Sequence, residues 1–277
     1  AVTGIFRKQH PQDRLFQRRS FFCSFCIEWQ KLRKQHRVSR TPHTERTNCH
    51  MCTSSAGLPP ELSQTELPVV ALVGMPNVGK STVFNALTGM HQHTGNWAGK
   101  TVASAVGTVT WNGKSLLLAD LPGTYSLRAR SAEEIVARDF LCFAEPDAAV
   151  VVCDATCLER GLLLVMQVLE TCPRTLLCVN LLDEAEKRQI AIDLPQLEQL
   201  LGIPVVGMAA RSGTGLPEFQ QRLFDLLHQP APQPLPCPVP EQLEQPLEQI
   251  QNELPENLCG LQREWTARRL FEVSPRA

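Results

Sequence analysis

The chain has 277 residues, of which 43% are hydrophobic and 20% charged, and its formal net charge is −1. This composition is typical of a globular protein with a buried core, and it excludes a wholly disordered, collagen-like or coiled-coil chain. The small net charge conceals two regions of opposite sign, because residues 1–50 carry 11 basic and 3 acidic residues whereas residues 51–277 carry 16 and 25.

Neither a membrane span nor a signal peptide is expected. No apolar run in the sequence reaches the roughly 18 residues that a membrane helix needs, and the basic residues near the amino end precede no long apolar segment. The 11 cysteines are an odd number, and several lie in apolar stretches such as that around Cys153. They therefore predict reduced core thiols without disulfides, and a cytosolic compartment.

Residues 1–65 are expected to be a basic, disordered extension that ends in a linker, since they lack apolar periodicity. Two C-x-x-C pairs in this region, Cys23 with Cys26 and Cys49 with Cys52, have a spacing close to that of a structural zinc site. Zinc or an iron–sulfur cluster is one interpretation, and a basic tail without a ligand is the favoured one. The same basic residues could touch nucleic acid or anionic lipid, but a solvated tail is again favoured.

From residue 67 onward, short β-branched runs alternate with amphipathic stretches. The predicted strands are residues 69–73, 108–111, 116–118, 148–153, 176–179 and 203–206. The predicted helices are residues 83–87, 133–143, 162–169, 194–201 and 219–227. This alternation predicts an α/β fold, with a mostly parallel sheet flanked by helices, over residues 66–229. Residues 230–277 are predicted to be a Pro-rich connector followed by two helices, 241–253 and 258–271, that form a small appendage.

Residues 74–81 read GMPNVGKS and match the phosphate-loop pattern G-x-x-x-x-G-K-[ST]. The pattern follows a predicted strand and opens a predicted helix, where backbone N–H groups and the helix N-terminus can bind a polyphosphate. Lys80 is expected to reach the β- and γ-phosphates, and Ser81 to ligate Mg²⁺. The plainer alternative is a glycine-rich turn. The predicted nucleotide-binding residues of this loop are Gly74, Asn77, Val78, Gly79, Lys80, Ser81 and Thr82.

A second motif follows an apolar strand, where Asp120 precedes Leu-Pro-Gly123. A carboxylate at a strand end beside a phosphate loop suits Mg²⁺, and the Gly123 N–H can sense a γ-phosphate. Alone this sequence would predict a turn, but together with the phosphate loop it predicts a nucleotide hydrolase site.

The third motif concerns the choice of base. Residues 180–183 read NLLD and resemble the guanine-recognition motif N-K-x-D of translation-factor-type GTPases. Asp183 would accept hydrogen bonds from guanine N1 and N2, and Asn180 would connect this loop to the phosphate loop. Ala209 and Ala210 lie where such GTPases contact the base through the backbone. A strand followed by a polar cap is the alternative.

Three stretches narrow the resemblance to one family: residues 74–81, residues 96–102 (NWAGKTV) and residues 120–127 (DLPGTYSL). They resemble G-N-P-N-x-G-K, N-W-x-G-x-T-V and D-L-P-G-x-Y-S-L of the amino-terminal GTPase domain of the ferrous iron transport protein B (FeoB) family. The resemblance covers residues 67–228, extends more faintly over residues 263–270, and does not include residues 1–65. It implies a P-loop GTPase fold.

The resemblance also implies roles for single residues. Thr101 would be the switch threonine that contacts Mg²⁺ and the γ-phosphate, and Asn77 would help to hold a K⁺ ion beside the phosphates. Lys80, Thr101, Gly123 and Asn77 are thus the predicted catalytic residues, with Ser81, Thr101 and Asp120 as Mg²⁺ ligands. Because no glutamine follows Gly123, the implied reaction is a slow hydrolysis with water positioned by the backbone. This sequence departs from the family pattern at Met75, Lys100 and Ala209.

The predicted function is therefore a GTP-binding and GTP-hydrolysing regulatory domain of a ferrous iron transporter. The expected ligands are GTP or GDP, Mg²⁺ and K⁺, and the expected partner is a membrane permease domain that this chain does not contain. A second copy of the chain is a candidate partner, whereas nucleic acid is not expected. The full transporter would place the domain at the cytosolic face of the inner membrane. Two alternatives stay open: a GTPase of ribosome assembly or tRNA modification, and a non-catalytic nucleotide-binding adaptor.

Overall fold

A computed structural model describes residues 65–89, 92–96, 103–128, 131–232, 239–254 and 263–273. The strands are β1 (Val69–Gly74), β2 (Gln92–Asn96), β3 (Ala103–Trp111), β4 (Lys114–Asp120), β5 (Ala148–Asp154), β6 (Thr175–Asn180) and β7 (Val205–Gly207). The helices are α1 (Lys80–Thr88), α2 (Ala132–Phe143), α3 (Leu158–Leu169), α4 (Leu182–Lys187), α5 (Leu194–Leu201), α6 (Leu216–His228), α7 (Glu241–Glu253) and α8 (Arg263–Val273).

The strands form one sheet in the order β2-β3-β4-β1-β5-β6-β7. Strands β4, β1, β5, β6 and β7 are parallel to one another, while β3 pairs antiparallel with both β2 and β4. The predicted α/β fold with a mostly parallel sheet flanked by helices is confirmed. The sheet and the carboxyl-terminal helices belong to one compact unit, Gly57–Ala277.

The central strands are apolar along their whole length because helices cover both faces of the sheet. All six residues of β6 are buried, as are the first six residues of β5. Buried aromatic residues from the helices complete this core, among them Phe84 of α1 and Phe219 of α6. The parallel register aligns the carboxyl ends of the strands, so that Leu72 of β1 pairs with Asp120, and Asp154 pairs with Asn180. This edge carries the polar residues of the predicted site.

Local sequence explains where the helices begin. Ser131 accepts a hydrogen bond from the Glu134 N–H and so caps α2, and Asp193 caps α5 through the Gln196 N–H. The buried residues of α3 recur at helical spacing on the side that faces the sheet. In the described parts of the chain, no helix is long and apolar enough to cross a membrane.

The structure corrects the sequence prediction at several elements, including β3 and α3, which begin at Ala103 and Leu158 instead of residues 108 and 162. Strand β2 was not predicted because its residues, Gln-His-Thr-Gly-Asn, show no apolar alternation, and pairing with β3 forms it. Helix α4 was not predicted because it has only six residues. Strand β7 begins at Val205 instead of residue 203 because Gly202 adopts a left-handed φ of 67° and Pro204 follows.

Several predictions fall outside the described residues: the extension and both cysteine pairs, Thr101 with Lys100, and most of the Pro-rich connector. The predicted last helix began at residue 258, but residues 255–262 are likewise outside. Five cysteines are described, and all are free thiols; four of them are buried, which fits core thiols. The predicted domain boundaries stay a prediction.

Candidate nucleotide-binding site

The predicted phosphate loop connects the carboxyl end of β1 to the first turn of α1. Asn77 and Gly79 both adopt left-handed backbone conformations, with φ of 66° and 82°. Such residues turn successive N–H groups toward one side of a loop, which is the geometry that binds an anion. Gly79 is the N-cap of α1 and offers no side-chain oxygen to the N–H groups of the first turn. Those N–H groups and the positive end of the helix therefore suit a phosphate.

Two glycines of the site are required by close packing. A Cβ on Gly79 would lie 2.4 Å from Asn180 Nδ2, and a Cβ on Gly74 would lie 2.8 Å from the Val152 carbonyl oxygen. Gly79 also needs the positive φ that other residues rarely adopt. The glycines of the pattern thus bring the loop against the ends of β5 and β6.

Lys80 and Asp120 form an ion pair at the carboxyl edge of the sheet. Asp120 is the last residue of β4, and the two side chains are only 11% and 16% exposed. Burial raises the pKa of Asp120 above its ordinary value, and the Lys80 ammonium group opposes that rise. In the protein alone, each charged group is thus the counter-ion of the other.

The oxygen donors near this pair fit Mg²⁺, which prefers hydroxyl, carboxylate and phosphate oxygens. Ser81 and Thr82 are exposed in the first turn of α1, one and two residues after Lys80, and Asp120 supplies the carboxylate. Within the described ranges, no group of three or more His, Cys, Asp and Glu side chains could hold a metal ion. Thr101, the remaining predicted Mg²⁺ ligand, lies outside those ranges.

The 120–127 segment (residues 120–127) packs on the phosphate loop. A Cβ on Gly123 would lie 3.1 to 3.3 Å from atoms of Pro76. The Thr124 N–H donates to the Gly74 carbonyl oxygen at 3.0 Å, and Thr124 is fully buried. Gly123 is therefore next to the loop that would bind the phosphates, and its contact with a γ-phosphate stays a prediction.

Asn180 connects the phosphate loop to the predicted base-recognition loop. Its side-chain amide donates to the Val78 carbonyl oxygen at 3.0 Å, and its Oδ1 accepts from the Ala210 N–H at 3.0 Å. Asn180 is 1% exposed. One buried side chain thus fixes the position of β6 relative to both neighbouring loops.

Asp183 lies in the first turn of α4 and is half-buried. The turn is produced by Leu181, which precedes the helix with a left-handed φ of 63°. The Leu182 N–H donates to the Met208 carbonyl oxygen at 3.1 Å, and this bond places the start of α4 beside the buried residues Ala209 and Ala210. A residue other than glycine is strained in the left-handed backbone conformation, and such strain is often found at ligand sites.

We expect Asn180→Ala to lower the free energy of unfolding of the nucleotide-free protein by about 2 kcal/mol, because it leaves the Val78 carbonyl and the Ala210 N–H without their partner. Urea denaturation measures this change. Asn252→Ala, at an exposed position of α7, is the control and should leave stability unchanged. Equal stability of the two variants would contradict the bridging role.

The structure also reveals residues that the motifs did not indicate. The Leu127 N–H donates to Gln167 Oε1 of α3 at 2.7 Å, and the Tyr125 N–H donates to Glu134 Oε1 at 3.3 Å. Helical periodicity places Gln167 in α3, but no motif connects it to residue 127, 40 positions earlier. Asn77, the predicted K⁺ ligand, is exposed on the loop.

Comparison with known proteins gives a consistent match over this part of the chain. The family model described as ferrous iron transport protein B matches residues 68–223. The Fe(2+) transport protein A/Fe(2+) transporter FeoB fusion protein of Porphyromonas gingivalis is 42% identical over 159 residues, which are 57% of this chain and 18% of that protein. The Fe(2+) transporter FeoB of Methanocaldococcus jannaschii is 52% identical over 101 residues, 36% of this chain and 15% of that protein. The chain thus spans about a fifth of the length of the curated relatives, or less.

Solved structures agree with the sequence matches. The cytosolic domain of the T. maritima FeoB iron transporter in apo form superposes with a TM-score of 0.70 at 33% identity, covering 74% of this chain and 84% of that one. The GMPPNP form of the same domain gives 0.69 at 35% identity, covering 73% and 79%. The cytosolic domain of L. pneumophila FeoB gives 0.68 at 35% identity, covering 74% and 87%. The shared fold therefore extends beyond the matched family region.

Proposed function

The chain belongs to the ferrous iron transport protein B family, and on that premise we propose that it is the GTP-binding and GTP-hydrolysing regulatory domain of a ferrous iron transporter. Its nucleotide state would control Fe²⁺ uptake through a membrane permease domain, at the cytosolic face of the membrane. The solved relatives in GDP and GMPPNP forms support guanine nucleotide as the ligand.

The observation that carries this proposal is the connection between the two halves of the site. The phosphate loop and the base-recognition loop come from different strands, and the buried Asn180 joins them through Val78 and Ala210. A nucleotide needs its phosphates and its base to be recognised at a fixed separation. The Asn180 bridge supplies that fixed separation in the protein alone.

The proposed hydrolysis depends mainly on positioning and charge. Lys80 would move from Asp120 to the β- and γ-phosphates of bound GTP, and the Gly123 N–H would contact the γ-phosphate. Thr101 would contact Mg²⁺ and the γ-phosphate, the role that the family resemblance implies for it. No glutamine follows Gly123, so backbone groups would orient the attacking water.

Two cations fit the chain's own residues. Mg²⁺, held by Ser81, Asp120 and Thr101, would supply positive charge that neutralises the phosphates. K⁺ beside Asn77 would add charge where other GTPases use an arginine. Asn77 has a left-handed backbone and is exposed on the loop, where its amide oxygen would face such an ion.

We expect GTP hydrolysis by residues 51–277 to be about tenfold faster in K⁺ than in Na⁺ buffer. One well-placed positive charge stabilises the transition state enough to raise the rate by at least that factor. Steady-state phosphate release measures the rates. Asn77→Ala should abolish the difference, and Asn252→Ala should preserve it.

The left-handed backbone of Asn77 requires one more variant. Alanine is strained at a φ of 66°, so Asn77→Gly removes the side chain without that cost and should also lose the K⁺ response. Hydrolysis that is equally fast in K⁺ and Na⁺ buffer in the unmodified chain would refute the K⁺ assignment and leave a GTPase without a K⁺-dependent step. Nucleotide binding without hydrolysis would favour the adaptor.

A further inference from the structure

The side chain that follows Gly123 is turned into the protein and is not available to orient a water molecule. Thr124 is fully buried, and its hydroxyl donates to the Ser126 carbonyl oxygen at 2.9 Å. Its N–H donates to the Gly74 carbonyl oxygen of the phosphate loop at 3.0 Å. These two bonds hold residues 124–126 in a closed turn against that loop. The orientation of an attacking water therefore depends on where the backbone of this turn lies.

Helix α3 holds the far end of the turn. The Leu127 N–H donates to Gln167 Oε1 at 2.7 Å, and Leu127 is 1% exposed. The Tyr125 N–H makes a longer bond of 3.3 Å to Glu134 Oε1, and Tyr125 is 63% exposed. The bond to Gln167 is thus the shorter and the less exposed of the two.

The two attachments of Leu127 constrain different things. Burial of its side chain is non-directional and tolerates a rotation of the backbone. A hydrogen bond depends on the angle at the donor, so the bond to Gln167 fixes the direction of the Leu127 N–H. Without the amide oxygen, Leu127 stays in the core, but the peptide group between residues 126 and 127 can rotate. That rotation displaces the turn and Gly123 before it.

The acceptor on Gln167 has a fixed position relative to the phosphate loop. Helix α3 packs closely on β5, because a Cβ at Gly161 would lie only 2.4 Å from Cys153 Sγ. Strand β5 in turn pairs with β1, where Val152 is the partner of Gly74, the first residue of the phosphate loop. Interiors packed at this density resist small displacements. Gln167 therefore relates the turn to the phosphate loop through the sheet.

We propose that Gln167 is a positioning residue for GTP hydrolysis. It orients the Leu127 peptide and, through the turn, the Gly123 N–H and the backbone groups that would hold the attacking water. Gln167 itself contacts neither the nucleotide nor the water in this role. The inference rests on the proposed function and deepens it by assigning the group that keeps the hydrolytic backbone in place.

A residue with this role affects the rate and leaves the affinity unchanged. The nucleotide would be held by Lys80 and by the base-recognition loop, and neither depends on the direction of the Leu127 N–H. The geometry of Gly123 and the water matters most in the transition state, where a misplacement of about 1 Å can lower the rate by two orders of magnitude. Loss of Gln167 should therefore lower kcat and kcat/KM equally, with KM unchanged.

Steady-state GTP hydrolysis by the full chain in Mg²⁺ and K⁺ buffer, with titration of the non-hydrolysable analogue GMPPNP in parallel, tests the proposal. Gln167→Leu removes the acceptor at a similar volume, and Gln167→Asn withdraws it by one methylene. Both should lower kcat about tenfold and change KM and the Kd of GMPPNP by less than about twofold. Gln167→Glu keeps an acceptor oxygen at the same reach and should restore most of the lost rate.

Hydrogen exchange links the kinetic effect to the bond itself. Peptides that cover residues 121–128 should exchange faster in Gln167→Leu and Gln167→Asn than in the unmodified protein, and Gln167→Glu should exchange like the unmodified protein. Urea denaturation of each variant shows whether it is folded. If Gln167→Leu does not fold, Gln167→Asn gives the same comparison with a polar side chain.

Gln221→Leu is the matched control, since it makes the same replacement on α6. Gln221 Nε2 donates to Asp225 Oδ1 at 2.9 Å on the exposed side of that helix, so kcat should not change. An equal loss of kcat in Gln221→Leu and Gln167→Leu would overturn the proposal, because a general effect of replacing a helical glutamine would then explain it.

The kinetic constants separate this inference from the proposed function. An unchanged kcat in folded Gln167→Leu or Gln167→Asn would overturn the positioning role and leave the proposed function intact. A loss of GMPPNP affinity as large as the loss of kcat would also overturn it, since Gln167 would then only support the fold of the site. Absence of GTP binding and hydrolysis in the unmodified chain would overturn the proposed function and this inference with it.

Discussion

Lys80→Ala is expected to lower the affinity for GTP and for GDP by about 100-fold. Lys80 begins α1, where it would form charge-assisted hydrogen bonds with the phosphates of either nucleotide. Loss of about 3 kcal/mol from such contacts corresponds to this factor. Fluorescence titration with labelled GDP and GTP in Mg²⁺ buffer measures the two dissociation constants.

The ion pair with Asp120 sharpens this prediction. In Lys80→Ala, the Asp120 carboxylate loses its counter-ion. The measured loss of affinity therefore combines the lost phosphate contact with a change in the charge balance of the nucleotide-free protein. Lys80→Met, which approximates the length of the side chain without its charge, separates charge from packing and should give a similar loss. Lys114→Ala is the matched control, because Lys114 is exposed at the opposite end of β4. Near-normal affinity in both Lys80 variants would disprove the phosphate-loop assignment.

The fold was predictable where local sequence and tertiary environment agree. Strands β5 and β6 are continuous apolar runs because both faces of the sheet are covered, and the sequence shows this directly. Strand β2 could not be predicted, because its polar residues are extended only through their pairing with β3. The start of β7 depended on Gly202 and Pro204, whose effect on the backbone outweighs the β-branched run around them.

The candidate site likewise has a part that the sequence predicts and a part that it does not. The phosphate loop is a local motif, in which the order of glycines and lysine fixes the backbone and the charge together. The hydrogen bond between Leu127 and Gln167 joins residues 40 positions apart, and the ion pair between Glu170 and Arg268 joins residues 98 apart. Such contacts depend on how helices pack, which neither periodicity nor motif spacing encodes.

Asp183→Asn is expected to lower GTP affinity by about 100-fold or more and to reverse the preference from GTP toward XTP. The Asp183 carboxylate would accept two hydrogen bonds, from N1–H and the N2 amino group of guanine. An amide has only one accepting oxygen and presents a donor in place of the other. The N2 amino group would then face a donor, and a buried mismatch of this kind is strongly rejected.

Xanthine has an oxygen at C2 where guanine has the amino group, so it restores the pairing with the amide of Asp183→Asn. Asp183→Asn should change the hydrogen bonds to the base without moving α4. Leu181 and the hydrogen bond from Leu182 to Met208 position the first turn of this helix independently of the Asp183 side chain. Competition of GTP and XTP against labelled GDP measures the preference in each variant. Glu184→Gln is the matched control, since it removes a neighbouring charge that pairs with Lys187 at 2.8 Å. If Asp183→Asn and Glu184→Gln both bind GTP normally, the assignment of guanine recognition to this motif is contradicted.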